Sequence, residues 1–137
     1  MVRAFAPVLA RKGGGAIANM LSVVSWFVYP FNATYCASKH AALALTEGVR
    51  IQLKAQGTQV VAVFAGFIDT DMAAGFDREK TSPQQVAERT LAGIRDGLDE
   101  VRADERAETT WQAMRTDPAE VHAQMQQEWD GRKSRKA

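Results

Sequence analysis

The sequence predicts an α/β fold built on a parallel sheet. Two observations carry this: a pair of apolar runs of strand length, "AIANMLSVV" and "TQVVAVFAG", and an alanine-rich helical stretch from about Thr34 to Gln56 that joins them through short connections. Strands linked through a helix run parallel, and the crossover is expected to be right-handed. At 137 residues, with 46% apolar and 24% charged positions, the chain has the size and composition of one domain able to bury a core.

Residues 1–11 read as an amphipathic helix with Val2, Phe5, Val8 and Leu9 on one face, closed by Lys12 and Gly13. The continuous apolarity of "AIANMLSVV" predicts a strand covered on both faces, and "SWFVYPFN" after it reads as a loop. The helix over 34–56 stops at Gly57, and "TQVVAVFAG" repeats the buried-strand pattern. "FIDTDMAAGFDREKTS" is a long loop of the kind that closes over ligands. Ser82, Pro83 and Gln85 form a capping box opening a helix with Val86, Leu91, Ile94 and Leu98 on its apolar face. "DEVRAD" predicts a short edge strand around Val101, and two polar helices follow. The second is opened by Asp117, Pro118 and Glu120 and carries Val121, Met125 and Trp129 as packing residues.

Several function classes drop out on charge and composition. A net charge of +1 gives no long-range field that would gather nucleic acid or an anionic membrane, and the basic end "GRKSRKA" reads as a solvated terminus. Cys36 is the only cysteine, so neither an internal disulfide nor a cysteine-rich metal site is expected; it reads as a small residue at a tight helix contact. His40 and His122 stand in no ligand-spaced cluster, so they read as surface residues and no metal is expected. Without a signal-peptide pattern or an apolar run of membrane length, the chain reads as cytoplasmic, and the sequon Asn32, Ala33, Thr34 has no use there. "GGGAIA" mimics a dinucleotide fingerprint but follows a helix and opens a strand, the reverse of the required order, so it is a turn.

The chemistry concentrates in "NATYCASKHAAL", where Tyr35 and Lys39 share one helix face one turn apart. Ser22 ends the first strand, which brings a hydroxyl, a phenol and an ammonium beyond the carboxyl end of a parallel sheet, where open α/β sheets bind ligands. "AGFIDT" ends the next strand at the same crevice.

Ser22, then Tyr35, Ser38 and Lys39, then Gly66, Ile68 and Thr70 resemble, in order and spacing, the carboxyl-terminal half of the short-chain dehydrogenase/reductase family over roughly residues 1–80. The resemblance implies a partial doubly wound, Rossmann-like sheet with its N-terminal half absent. On that view 1–137 is a single partial domain, with a catalytic core segment at 1–80 and a helical C-terminal region at 81–137. It implies an NAD(P)-dependent oxidoreductase that interconverts a carbonyl and a secondary alcohol by hydride transfer. Tyr35 would be the general acid/base, Lys39 the residue that makes that phenol more acidic and bonds the nicotinamide ribose, and Ser22 the partner of the substrate oxygen. Gly66, Ile68 and Thr70 would lie beside the nicotinamide and its phosphate. Trp26, Phe27, Tyr29, Phe31 and Phe67 are placed by sequence either to line an apolar pocket or, for some of them, to fill the core; the pocket reading suits an apolar ketone or secondary alcohol.

The departures from the family pattern are specific. Ala65 stands for a usual proline and Leu21 for a common second serine, no glycine-rich cofactor turn is present, and the family's catalytic asparagine would by spacing fall before Met1. The residues that choose between NAD and NADP belong to the absent half. Activity of this chain therefore competes with a second reading, a non-catalytic association module that uses the 34–56 helix, through which family members commonly oligomerise. The first strand, deprived of a neighbour, is expected to present a bare apolar edge and to favour self-association.

Overall fold

A computed structural model describes residues 1–134 of the chain; the last three residues of the basic terminus lie outside the described residues. Helix α1 (Val2–Arg11) is followed by strand β1 (Gly15–Met20), the long helix α2 (Ala33–Leu53) and strand β2 (Thr58–Phe64). Helix α3 (Pro83–Arg95), strand β3 (Glu100–Arg102) and helices α4 (Glu105–Thr116) and α5 (Pro118–Ser134) complete the chain. The three strands are parallel in the order β1-β2-β3, with Gly15 opposite Thr58 and Met20 opposite Val63, and Ala62 opposite Glu100. This is a three-stranded segment of a Rossmann-like sheet with flanking helices.

Local signals explain most boundaries. Ser82 accepts from the Gln85 amide while the Gln85 side chain accepts from the Ser82 amide, with Pro83 at the first helical position, so α3 begins where its capping box directs. Helix α2 tightens into a 3₁₀ turn over Lys54–Gln56 and is released by Gly57 at φ 72, a left-handed conformation that costs glycine nothing. The loop after β1 is not featureless: it holds 3₁₀ turns at Val23–Ser25 and Pro30–Asn32.

The core lies on both sides of β2. Residues Val60 to Phe64 are fully buried, and alternation sends Ala62 and Phe64 to one face and Val61 and Val63 to the other. On the first face they meet Leu21, Val23, Phe27, Ala107 and Val121, with Ala42 and Leu43 of α2; on the second they meet Val86, Val101 and Ala103, with Ile94 of α3. Helices α2 and α3 thus cover opposite faces although β2 and β3 are added in the same direction. Two such crossovers must have opposite hands, so one of them departs from the right-handed rule. The extended connection over 65–82 supplies the length for the second helix to reach the far face.

Three expectations are corrected here. Strand β1 is not covered on both faces: Ala16, Ala18 and Met20 are exposed, because among the described residues β1 pairs only with β2 and nothing packs on that side. In α1, Phe5 is 55% exposed and it is Val2, Ala6, Val8 and Leu9 that are half-buried. In α3, Leu91 points outward, and Leu98, expected on the same helix, lies beyond its end and is exposed; the buried positions are Val86, Thr90 and Gly93, since the helix approaches the sheet closely enough to exclude a large side chain at its contact point. His40 is half-buried on α2, its Nδ1 2.9 Å from the carbonyl of Cys36 in the preceding turn. No described helix is long and apolar enough to cross a membrane.

The close approach at Gly93 yields a stability test. A Cβ built there would run into Cγ2 of Val101, so Gly93→Ala is expected to lower the unfolding free energy by about 1–3 kcal/mol, as overpacking does. Urea denaturation measures it, and Gly93→Ala combined with Val101→Ala should recover part of the loss; a Gly93→Ala chain as stable as the parent would contradict this packing.

Candidate active site

The site is assembled at the carboxyl ends of β1 and β2. The chain leaving β1 is tied to the chain leaving β2 by the Leu21 amide donating to the Val63 carbonyl at 2.7 Å and the Val23 amide donating to the Ala65 carbonyl at 3.1 Å. Those bonds place Ser22 beside the Ala65–Gly66 turn, although 43 positions separate Ser22 from Ala65. Ser22 is buried and caps the following 3₁₀ turn: its Oγ accepts from the Val24 amide and its own amide donates to Ser25 Oγ, both at 3.4 Å. Because the Oγ accepts from an amide, its proton remains free to be donated.

Helix α2 delivers the other two residues. Lys39 Nζ donates to the Met20 carbonyl at 3.0 Å, which ties the second turn of the helix to the last residue of β1. The same ammonium lies 5.6 Å from the centroid of the Tyr35 ring, so the phenol and its cation are neighbours as the four-residue spacing predicts. Burial pushes the Lys39 ammonium below the usual lysine range. Tyr35 itself is 36% exposed, at the mouth of the site. Ser38 donates to the Tyr35 carbonyl at 2.7 Å and remains within the helix. Cys36 is fully buried, its Sγ accepting from the Tyr29 amide at 3.3 Å, a packing role that fixes the entry of α2 against the preceding loop.

The loop after β2 forms the third side. The Gly66 amide donates to Asp104 Oδ2 at 2.7 Å. Ile68 bridges Thr81, with the Asp69 amide donating to the Thr81 carbonyl and the Thr81 amide to the Phe67 carbonyl, each at 2.9 Å. Thr70 is exposed, donates from Oγ1 to the Ile68 carbonyl at 3.3 Å and opens a 3₁₀ turn at Asp71–Ala73. Phe67 stacks near Phe76 and under the Arg106 guanidinium, each 5.2 Å away. An open cleft beside it is lined by Phe67, Arg78, Thr81, Asp104 and Arg106.

The aromatic residues divide. Phe27 is buried in the core and the Trp26 ring lies 4.2 Å from Phe64, so the core takes most of the surface of both. Tyr29 and Phe31 are covered from α5: Phe31 stacks 5.4 Å from Trp129 and lies 4.4 Å from the Arg132 guanidinium. Burial and the Glu128 carboxylate push the Tyr29 phenol up. Only Phe67 of the five borders the open cleft. Sequence reasoning missed Asp104 and Arg106. Asp104 carries a legible cap signal, an aspartate before a first turn with Glu105 and Glu108, but nothing local announces its bond to Gly66.

Comparison with known proteins gives the same direction. The family model described as short chain dehydrogenase matches residues 1–81. An uncharacterized oxidoreductase of Staphylococcus aureus strain MW2 is 30% identical over 96 residues, 68% of this chain and 42% of the relative. One from Staphylococcus epidermidis is 32% identical over 97 residues, again 42% of the relative. Among solved structures, a short chain dehydrogenase from Burkholderia cenocepacia J2315 in complex with NADP superposes with a TM-score of 0.87 at 36% identity, covering 91% of this chain and 54% of that one. A short-chain dehydrogenase from Sphingobium yanoikuyae in complex with NADPH gives a TM-score of 0.67 at 26% identity, covering 89% and 50%. The chain spans under half the length of these sequence relatives and about half of these solved chains.

The state of Lys39 can be measured directly. Its folded pKa lies below the unfolded value, so the folded chain binds fewer protons in the window between the two and stability rises with pH across it. A ¹³Cε titration should place the Lys39 midpoint below the ordinary lysine range; a midpoint at or above it would show that the ammonium is not desolvated.

Proposed function

The chain belongs to the short-chain dehydrogenase family, and on that premise we propose that it carries the catalytic side of an NAD(P)-dependent oxidoreductase interconverting a carbonyl and a secondary alcohol. One observation carries this reading: the Lys39 ammonium, held by the Met20 carbonyl at 3.0 Å, stands beside the Tyr35 ring at the strand end that also holds Ser22. The donor set suits a nicotinamide nucleotide. Lys39 Nζ offers charge and protons to ribose hydroxyls, and the exposed Thr70 hydroxyl and the backbone around Ile68 offer polar contacts to a carboxamide or phosphate. NADP and NADPH in two related structures support the same class of cofactor.

When bound, the nicotinamide supplies or accepts the hydride. The rest falls to the chain. In the reducing direction Tyr35 gives its phenolic proton to the carbonyl oxygen as the carbon gains hydride, and in the oxidising direction it takes the alcohol proton. Lys39 stabilises the phenolate left behind; two unit charges ~6 Å apart at an effective dielectric of ~20 attract by roughly 3 kcal/mol. Ser22 donates its hydroxyl proton to the same substrate oxygen, while the Val24 amide holds its Oγ in place. Gly66, Ile68 and Thr70 border the nicotinamide, Phe67 contacts an apolar substrate, and Trp26 supports that wall from its place on Phe64.

A second reading has its own observation. On α2, Leu45 is 69% and Ile51 77% exposed, more apolar surface than a helix packed on one sheet requires, which favours association through the 34–56 helix. Leu45→Glu should shift the mass seen by light scattering toward the monomer; an unchanged mass would remove α2 as the interface.

For the catalytic reading, calorimetry should show saturable NADPH binding. Tyr35→Phe should cut turnover by about 10²–10⁴-fold and leave NADPH affinity essentially unchanged, whereas Lys39→Met should weaken both. Turnover unaffected by Tyr35→Phe would remove the proposed acid/base.

A further inference from the structure

We propose that Asp104 is a positioning residue for the cofactor loop, a role that rests on the reading of Gly66, Ile68 and Thr70 as the nicotinamide border. Asp104 is 3% exposed and occupies the joint between β3 and α4, beyond the residues that the family model matches. Its carboxylate is divided between two backbone donors: Oδ1 accepts from the Ala107 amide and Oδ2 from the Gly66 amide, both at 2.7 Å. The first bond is an ordinary helix cap. The second crosses 38 positions and satisfies the Gly66 N–H, a donor that would otherwise face a partly buried turn without an acceptor.

Arg106, the second residue of the same helix, closes the clamp. A Cβ at Gly66 would stand 2.5 Å from Arg106 Cδ and 3.0 Å from Arg106 Cβ, so the arginine stem lies directly on the glycine while its guanidinium covers Phe67. From this joint the backbone runs into the Ile68–Thr81 bridge, which sets where Ile68 and Thr70 present their polar groups. The carboxylate thereby couples the start of α4 to the direction in which the loop leaves β2.

The test separates capping from positioning. Asp104→Asn retains one acceptor oxygen, enough for one of the two amides, and sets an NH₂ group against the other N–H. Asp104→Ala removes both acceptors. Asp117→Ala is the control, because Asp117 Oδ1 caps α5 through the Glu120 amide and touches nothing near Gly66. Amide exchange at Gly66 and Ala107 reports which bond each variant has lost, thermal melts report the cost in stability, and an NADPH titration reports the cofactor loop. Variants with accelerated Gly66 exchange should bind NADPH roughly 10- to 100-fold more weakly, while Asp117→Ala loses stability but keeps its affinity. Unchanged NADPH affinity in a folded variant whose Gly66 amide exchanges freely overturns the proposal and leaves the site reading intact. A parent chain that binds no NADPH overturns the site reading, and this proposal with it.

Discussion

Everything in this chain is arranged around a strand that has no exposed face. From Val60 to Ala65 no residue of β2 and its exit is more than 1% exposed, so both faces need a cover and both edges need a partner. Helices α2, α4 and α5 supply one cover and α3 the other, with β1 and β3 at the edges. A strand so enclosed has little freedom to shift register, since a slip of one residue would exchange Phe64 with its smaller neighbours across two filled layers. Its carboxyl end therefore delivers Ala65 and Gly66 to a fixed place, and the exit of β1 is bonded to that place.

Polar bonds then set the long helix on the sheet at three levels. Near its start Lys39 holds the Met20 carbonyl, in its middle buried Thr46 accepts from the Asn19 side chain at 3.0 Å, and near its end Arg50 donates to the Val60 carbonyl at 2.8 Å. Apolar packing alone would allow a helix rich in alanine to slide or rotate, because its small side chains make shallow ridges. The three bonds remove that freedom. Lys39 is thus a structural tie as well as a candidate catalytic group, and the desolvation that lowers its pKa is a cost of using one side chain for both.

The C-terminal region takes part in the candidate site by packing rather than by motif. Asp104 and Arg106 of the β3–α4 joint cover the Gly66 turn, and α5 covers Tyr29 and Phe31 in the loop that leads to Tyr35. A boundary drawn at about residue 80 between a catalytic segment and a helical appendage describes the motifs. The contacts run across it.

What the sequence determined by itself was whatever depends on neighbours along the chain. Strand length and apolarity marked β1 and β2, Ser82 with Gln85 marked the start of α3, Gly57 marked the end of α2, and the spacing of Tyr35 and Lys39 put both on one face. Each follows from backbone periodicity or a cap within a few residues. Tertiary structure alone decided which face of β1 stays open, that the two crossovers have opposite hands, that Phe27 and Trp26 serve the core more than a pocket, and that Asp104 reaches Gly66. Those outcomes depend on which surfaces meet after the chain has turned through whole helices. A residue's type records its local preference, but its partner 38 positions away is chosen only when the sheet brings the two together.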